Sequence, residues 1–291
     1  MKSAASTRRV DSPFGWSSVA RRLIATPGGA AGTVILLVVI FLTLVAPLLP
    51  YSYDAFVGGR FESPTPSHWL GTDDLGRDVL TRLIYGARPS LLVGVVASLS
   101  AAIVGTSVGV LAGFKGGRID SFAMRCVDIV LAFPSLILIL ATVTALGPSL
   151  TSAMMAIAIV GSANFARVSR APVLSLVEQE FVQAARVVGA RDRRIVLRHL
   201  LPNILAPLIV LVSLTSSTAI LAEATLSFLG LGIQPPTPSW GRMLFSGRRY
   251  MEVDPGLAIY PGVAIMLVVL GFNLLGDALR DVLDPRLGDR A

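Results

Sequence analysis

Cysteine occurs once, at Cys126, so the chain can build no intrachain disulfide, cysteine-based zinc site or iron–sulfur cluster. Histidine occurs twice, at His68 and His199, too few and too far apart in sequence for a metal site. Lysine is as rare. Lys2 has no glycine-rich loop before it, and Lys115 is followed by Gly116 and Gly117 rather than Ser or Thr. The phosphate-cradling loop Gly-x-x-x-x-Gly-Lys-Ser/Thr is therefore missing, and the chain is not its own P-loop ATPase. Charged residues make up only 15% of the sequence, against about 25% in soluble domains. Apolar residues fill the deficit at 53%, which argues against a soluble enzyme. The net charge of +7 is carried almost wholly by arginine, and aromatics reach only 7%, so a nucleic-acid surface is not indicated.

What is present is a series of long uncharged runs. A membrane-spanning helix needs roughly 17 to 25 mostly apolar residues, and Pro27 to Pro50 supplies the first. Basic residues precede it (Arg8, Arg9, Arg21, Arg22), and its length exceeds that of a signal-peptide core, so it reads as an uncleaved anchor. Pro89 to Phe114 is the second run. Ile129 to Ala166 is too long for one helix, and Gly147-Pro148-Ser149 cuts it into a hairpin of a third and fourth span. Asn203 to Ala222 and Leu257 to Gly276 are the fifth and sixth. With the N-terminus inside, eighteen of the 25 basic residues fall on inner segments and seven on outer ones, so both termini are expected in the cytosol. The expectation is an all-α polytopic membrane protein of six transmembrane helices in a cytoplasmic membrane. Its parts are a cytosolic segment 1–28, unconstrained in pattern, a first transmembrane helix 29–50, an extracytoplasmic segment 51–88, a membrane core 89–281 and a cytosolic tail 282–291.

Within this frame some features read as packing. Gly105, Gly109 and Gly113 recur every four residues and line one face of the second helix, which lets another helix approach closely. Asp74 to Ala87 has the pattern of an amphipathic helix at the outer interface. Gly230 to Pro255, with four prolines and Trp240, is too irregular to cross and is expected to cap the outer mouth. Asp128 has Arg125 three residues before it, and Asp277 has Arg280 three after, which suggests ion pairs at helical spacing. His68 stands beside Trp69, an interfacial anchor type, and reads as structural. Glu223, near the outer end of the fifth span, is a costly ionisable group in a membrane helix and hence a pathway candidate; the alternative is hydrogen bonding to nearby backbone.

The inner segment 167–202 is unusually long and helix-forming. Phe181, Ala185 and Val188 recur at helical spacing, Gly189 permits a turn, and a second helix from Ile195 is expected to end at Pro202. Ala184 and Ala185 give the first helix a smooth face.

The run Gln183-Ala184-Ala185, then Gly189, then Leu201-Pro202 resembles the EAA loop of permease subunits from ABC importers, with Gln183 in place of the motif's Glu. His199 belongs to the peptide-importer version, Arg-His-x-Leu-Pro-Asn. Two further stretches, Gly71 to Leu91 and Ala222 to Leu244, resemble the C-type permease of oligopeptide and dipeptide importers. The resemblance implies a five-helix importer core plus an N-terminal helix, with Gln183, Ala184, Ala185, Gly189, His199, Leu201 and Pro202 forming a coupling segment that docks on an ATPase. It implies as partners a homologous B-type permease, two ATPase subunits, an extracytoplasmic peptide-binding protein and membrane lipid. ATP and Mg would bind the ATPases, with no cofactor on this chain. Cargo would be short peptides, or a nickel complex or other peptide-like solute. A gradient-driven secondary transporter is the other class; it needs a mid-membrane ion site, for which Glu223 stands alone.

Overall fold

The computed structural model describes residues 16–283. The expected N-terminal residues 1–15 and most of the tail 282–291 lie outside the described residues, as do both termini. Eleven α-helices make up the described chain: α1 (Trp16–Ala25), α2 (Pro27–Val45), α3 (Val79–Lys115), α4 (Gly117–Ala132), α5 (Ser135–Leu146), α6 (Leu150–Val177), α7 (Glu180–Val187), α8 (Asp192–Ile195), α9 (Leu201–Phe228), α10 (Trp240–Gly247) and α11 (Gly256–Leu283). Among the described residues no strand forms; one isolated bridge joins Thr72 and Asp78.

Five helical stretches are long and apolar enough to cross a membrane, and a bent pair makes a sixth. That pair corrects the expected third span. The run from Ile129 is not one helix, because α4 and α5 meet at 93° across Phe133-Pro134. Pro134 has no amide hydrogen and disfavours a helical residue before it; Phe133 is accordingly extended, at φ −90° and ψ 143°.

Other boundaries shift for one common reason: an uncharged run ends where a charge appears, but a helix does not. The second helix begins at Val79 and continues through Pro89, so the expected separate amphipathic helix from Asp74 and the division at 88/89 both fall away. Asp78 caps it, accepting from the Thr81 amide at 2.8 Å, and Gly76 before it sits at φ +77°. The fourth span runs past Ala166 to Val177 because its charges are neutralised: Arg167 meets Asp128 at 2.6 Å and Arg170 meets Asp120, both on α4. Asp128 thus pairs across helices rather than with Arg125, and no ion pair joins Asp277 to Arg280 among the described residues. Part of the supposedly unconstrained N-terminal segment is also folded. Residues 16–25 form α1, and Thr26 joins it to α2 by donating to the Leu23 carbonyl and accepting from the Gly29 amide.

At the centre, α3 lies against α6, and the glycine ladder makes that contact. A Cβ at Gly105 would fall 2.2 Å from the Ser162 carbonyl oxygen, and one at Gly109 2.2 Å from both the Ala166 carbonyl oxygen and Ser169 Oγ. In lipid no hydrophobic force draws helices together, so this close van der Waals approach is what selects the pairing. α9 packs on α3 and α11, while α2 sits outside, its Gly32 pressed on the backbone of Gly271 and Leu275.

Candidate functional site

The two ends of α9 carry the residues that the sequence singles out. From Leu201 to Glu223 is about 33 Å at 1.5 Å per residue, so these are separate places.

At the α7 end, the chain leaves α6 at Val177, turns through Gln179 and forms α7. Gln183 does not reach for a basic partner. Its Nε2 donates to the Val177 carbonyl at 2.7 Å, satisfying an orphan acceptor at the end of α6. Val182 is fully buried and packs in one cluster with Phe114 of α3, Val173 of α6, and Ile195, Leu200 and Ile204. The helix stops as the spacing predicted. Gly189 sits at φ +83°, its amide donates to the Arg186 carbonyl at 2.9 Å, and the Ala190 amide reaches the Ala185 carbonyl at 3.0 Å. This is the paired closure that a left-handed residue allows after a helix.

Pro202 does not end the following helix. Asp192 to Phe228 is one helical stretch, with a π turn over Val196–Leu200 placed immediately before the proline. The wide turn bonds the Leu201 amide to the Val196 carbonyl, and Asn203 Nδ2 covers the His199 carbonyl at 2.6 Å. Proline is tolerated in the first turn that follows. Gln183, Ala184, Gly189 and Pro202 are exposed; Ala185, His199 and Leu201 are half-buried beneath them. The His199 and Phe181 rings lie 6.2 Å apart. Sequence patterning missed what this arrangement does to Val187 and Val188. It puts them at the tip, 87% and 86% exposed, although Val188 had been assigned to the helix's apolar stripe. The segment is also tied to the end of α3: Lys115 Nζ meets Asp192 at 2.6 Å, and the Arg186 guanidinium lies 5.2 Å over the Phe114 ring.

Glu223, at the other end of α9, is fully buried. It bonds side chains rather than nearby backbone: Ser227 Oγ donates to Oε1 at 2.7 Å and Ser90 Oγ to Oε2 at 3.2 Å. Ser239 Oγ extends the chain by donating to Ser227 Oγ, and its hydroxyl also caps α10 through the Arg242 amide. The carboxyl thus knots α3, α9 and the 229–255 segment together. Ser227 lies one turn from Glu223 and was legible; Ser90, 133 positions away, was not. Around the knot the loops are closely bonded. His68 Nδ1 meets Asp78 at 3.1 Å, Arg77 meets Asp73 at 2.7 Å, Arg82 donates to the Tyr53 carbonyl at 2.8 Å, and Trp240 Nε1 donates to the Leu83 carbonyl at 2.9 Å. His68 is structural, and the 229–255 segment is docked on the end of α3. No group of His, Cys, Asp and Glu among the described residues could hold a metal ion.

Residues 105–289 match the family described as binding-protein-dependent transport system inner membrane component, and residues 16–64 match the N-terminal TM domain of oligopeptide transport permease C. The chain belongs to this family. The permease is 47% identical over 274 residues to a dipeptide transport system permease protein of Alkalihalophilus pseudofirmus, with 94% of this chain and 90% of that one covered. It is 44% identical to a di/tripeptide transport system permease protein of Pseudomonas aeruginosa, covering 95% and 92%, and 40% identical to a glutathione transport system permease protein of Pectobacterium atrosepticum, covering 94% and 90%. Among solved structures, an inward-facing conformation of the MetNI methionine ABC transporter matches at a TM-score of 0.55 and 21% identity, over 69% of this chain and 96% of that one. At that identity the likeness is one of fold. The permease is accordingly an all-α, multi-pass inner membrane component and a permease subunit of an ABC importer.

Proposed function

We propose that this permease carries short peptides inward and takes its energy from separate ATPase subunits that grip α7. The observation that carries the coupling assignment is the exposed Val187–Val188 tip, held on a helix whose inner face is locked to the ends of α3, α6 and α9. An apolar tip needs a partner, and a helix anchored to three spans passes any displacement on to all of them. In this reading the α7 end is cytosolic, both termini lie on that side, and residues 49–78 and 229–255 face outward, where a peptide-binding protein delivers cargo. A homologous permease subunit completes the pathway, and ATP and Mg act on the two ATPases. Gln183, Ala184, Ala185, Gly189, His199, Leu201 and Pro202 serve the coupling segment: Ala184 as contact, Ala185 and Leu201 as anchors, Gln183 and Gly189 as the bonds that shape its two ends. Glu223 serves as a latch of the outer layer. The peptide cargo rests on the relatives whose names specify dipeptides and tripeptides.

The cycle is a population shift. ATP-bound ATPases must bind the outward-open permease better than the inward-open one, or ATP binding moves nothing. Gly189→Val and Ala185→Trp test the coupling. A Cβ at Gly189 meets nothing within 4 Å, so valine would act only through the left-handed backbone it disfavours. Both variants should insert in the membrane but lose peptide uptake and uncouple ATP hydrolysis. Normal uptake in both would overturn the assignment, and uptake surviving ATP depletion would favour a gradient-driven carrier.

A further inference from the structure

We infer that the α7 end carries a built site for one anionic phospholipid, with its phosphate among Arg191, Arg193, Arg194 and Arg198 and an acyl chain laid along a groove between α3 and α9. The inference rests on the orientation proposed above.

Two cavities meet there. One, of about 500 Å³, is lined by those four arginines with Leu197 and Pro202. The other, of about 490 Å³, is walled by Leu197, Leu201, Leu205 and Val212 from the α9 side and by Ile103 and Val110 from α3. Leu197 lines both, so the charged cavity adjoins the apolar groove at that side chain. No carboxylate pairs with any of the four arginines among the described residues; Asp192, in their midst, is taken by Lys115. The groove wall is mostly apolar: Thr106 and Ser107 are its hydroxyl-bearing residues, and the Ser107 hydroxyl is turned back to the Ile103 carbonyl at 2.7 Å.

The depth suits a headgroup, and the groove is long enough to hold an acyl chain through one leaflet. Lys115 closes the long apolar helix α3, and its contact with Asp192 sets the arginine turn at the level where that helix meets the headgroups. From Leu197 to Val212 the groove runs about 22 Å at 1.5 Å per residue. One leaflet's hydrocarbon is about 15 Å thick, half of the ~30 Å core. A single molecule with an anionic head and a long apolar tail fills both cavities. An acidic protein surface would use only the arginines, and an apolar helix only the groove. A lipid seated there would hold residues 191–198, the link between α7 and the α9 span, at the membrane surface.

The test uses the assembled importer, purified from membranes and reconstituted in phosphatidylcholine with or without phosphatidylglycerol. Native mass spectrometry should find phosphatidylglycerol retained by the wild-type complex, not displaced by glycerol phosphate, and at least tenfold depleted in Arg193→Ala/Arg194→Ala/Arg198→Ala and in Leu205→Trp. Equal retention in both variants would overturn the site, as would displacement by glycerol phosphate. A triple variant that keeps its lipid but sheds its ATPases would assign the arginines to the partner and overturn the site as well. Should the triple variant fail to assemble, the wild-type complex with a phosphatidylglycerol bearing a photoreactive acyl chain decides: adducts should fall on the Ile103 to Val110 and Leu197 to Val212 stretches, and adducts elsewhere overturn the proposal. A complex with no ATPase partners would sink the importer reading while leaving the lipid result readable on its own.

Discussion

The two ends of this helix bundle hold their carboxylates in opposite ways. At the α10 end, Asp73, Asp78 and Glu223 are buried, and each is bonded within the chain: Asp73 to Arg77 and two amides, Asp78 to His68 and an amide, Glu223 to two serines. At the α7 end the one ion pair tying the segment to α3, Lys115–Asp192, has side chains 45% and 60% exposed, four arginines have no carboxylate, and two valines stand in the open. Buried polar groups are costly unless every bond is made, so the network at the first end is stiff. The α10 end exposes apolar side chains too, Phe56 and Trp69 among them, so the difference lies in how carboxylates are held: buried and bonded at the first end, exposed at the second. A subunit that keeps one end closed while the other is moved from outside would be built in this way.

That contrast can be broken by substitution, and the expected losses of stability fall in order. Glu223→Leu leaves two buried hydroxyls without their acceptor, at about 1–3 kcal/mol each, and should give the largest drop in thermal unfolding midpoint of the purified complex. Glu223→Gln keeps the shape and an acceptor and should recover most of the loss; equal loss in both variants would show that the hydroxyl bonds are not what Glu223 supplies. Asp73→Ala comes next, at about 1.5–3 kcal/mol, since it strips a charged acceptor from Arg77 and from the Leu75 and Arg77 amides. Protection of the 49–78 backbone from hydrogen exchange should fall with it. Lys115→Ala removes an exposed pair worth about 0–1 kcal/mol, further weakened by salt. Smallest in stability is Val187→Asp/Val188→Asp, within about 0.5 kcal/mol because the tip touches little of its own chain. Transport should reverse that ranking: the tip variant should lose ATP-dependent uptake almost completely. A tip variant that unfolds early, or transports normally, would dissolve the distinction between the two ends.

Much of this was readable in advance, and the failures share a cause. The turn at Gly189 was legible because a glycine after a helical apolar pattern signals a left-handed closure, and local bonds alone realise it. The glycine ladder of Gly105, Gly109 and Gly113 was legible because a four-residue repeat defines one helix face whatever it meets. By contrast, Asp128 was assigned to its neighbour Arg125, yet it pairs with Arg167, 39 positions on, since α4 lies beside α6. Pro202 was read as a stop, but a π turn upstream makes room for it. The exposure of Val187 and Val188 depends on which face of α7 the adjoining ends of α3 and α6 cover, and no pattern within eight residues encodes that.

By itself the sequence determined the membrane-spanning character, the number of apolar runs, the hairpin at Gly147-Pro148 and the helix–turn at α7 and Gly189. These follow from local quantities: run length against bilayer thickness, missing amide hydrogens, and backbone freedom at glycine. Tertiary structure alone decided where helices pass through their charges, which hydroxyls surround Glu223, and which end of the bundle is left open. Each of those is a choice among distant partners, and the choice is made by which helix faces can approach closely enough to pack.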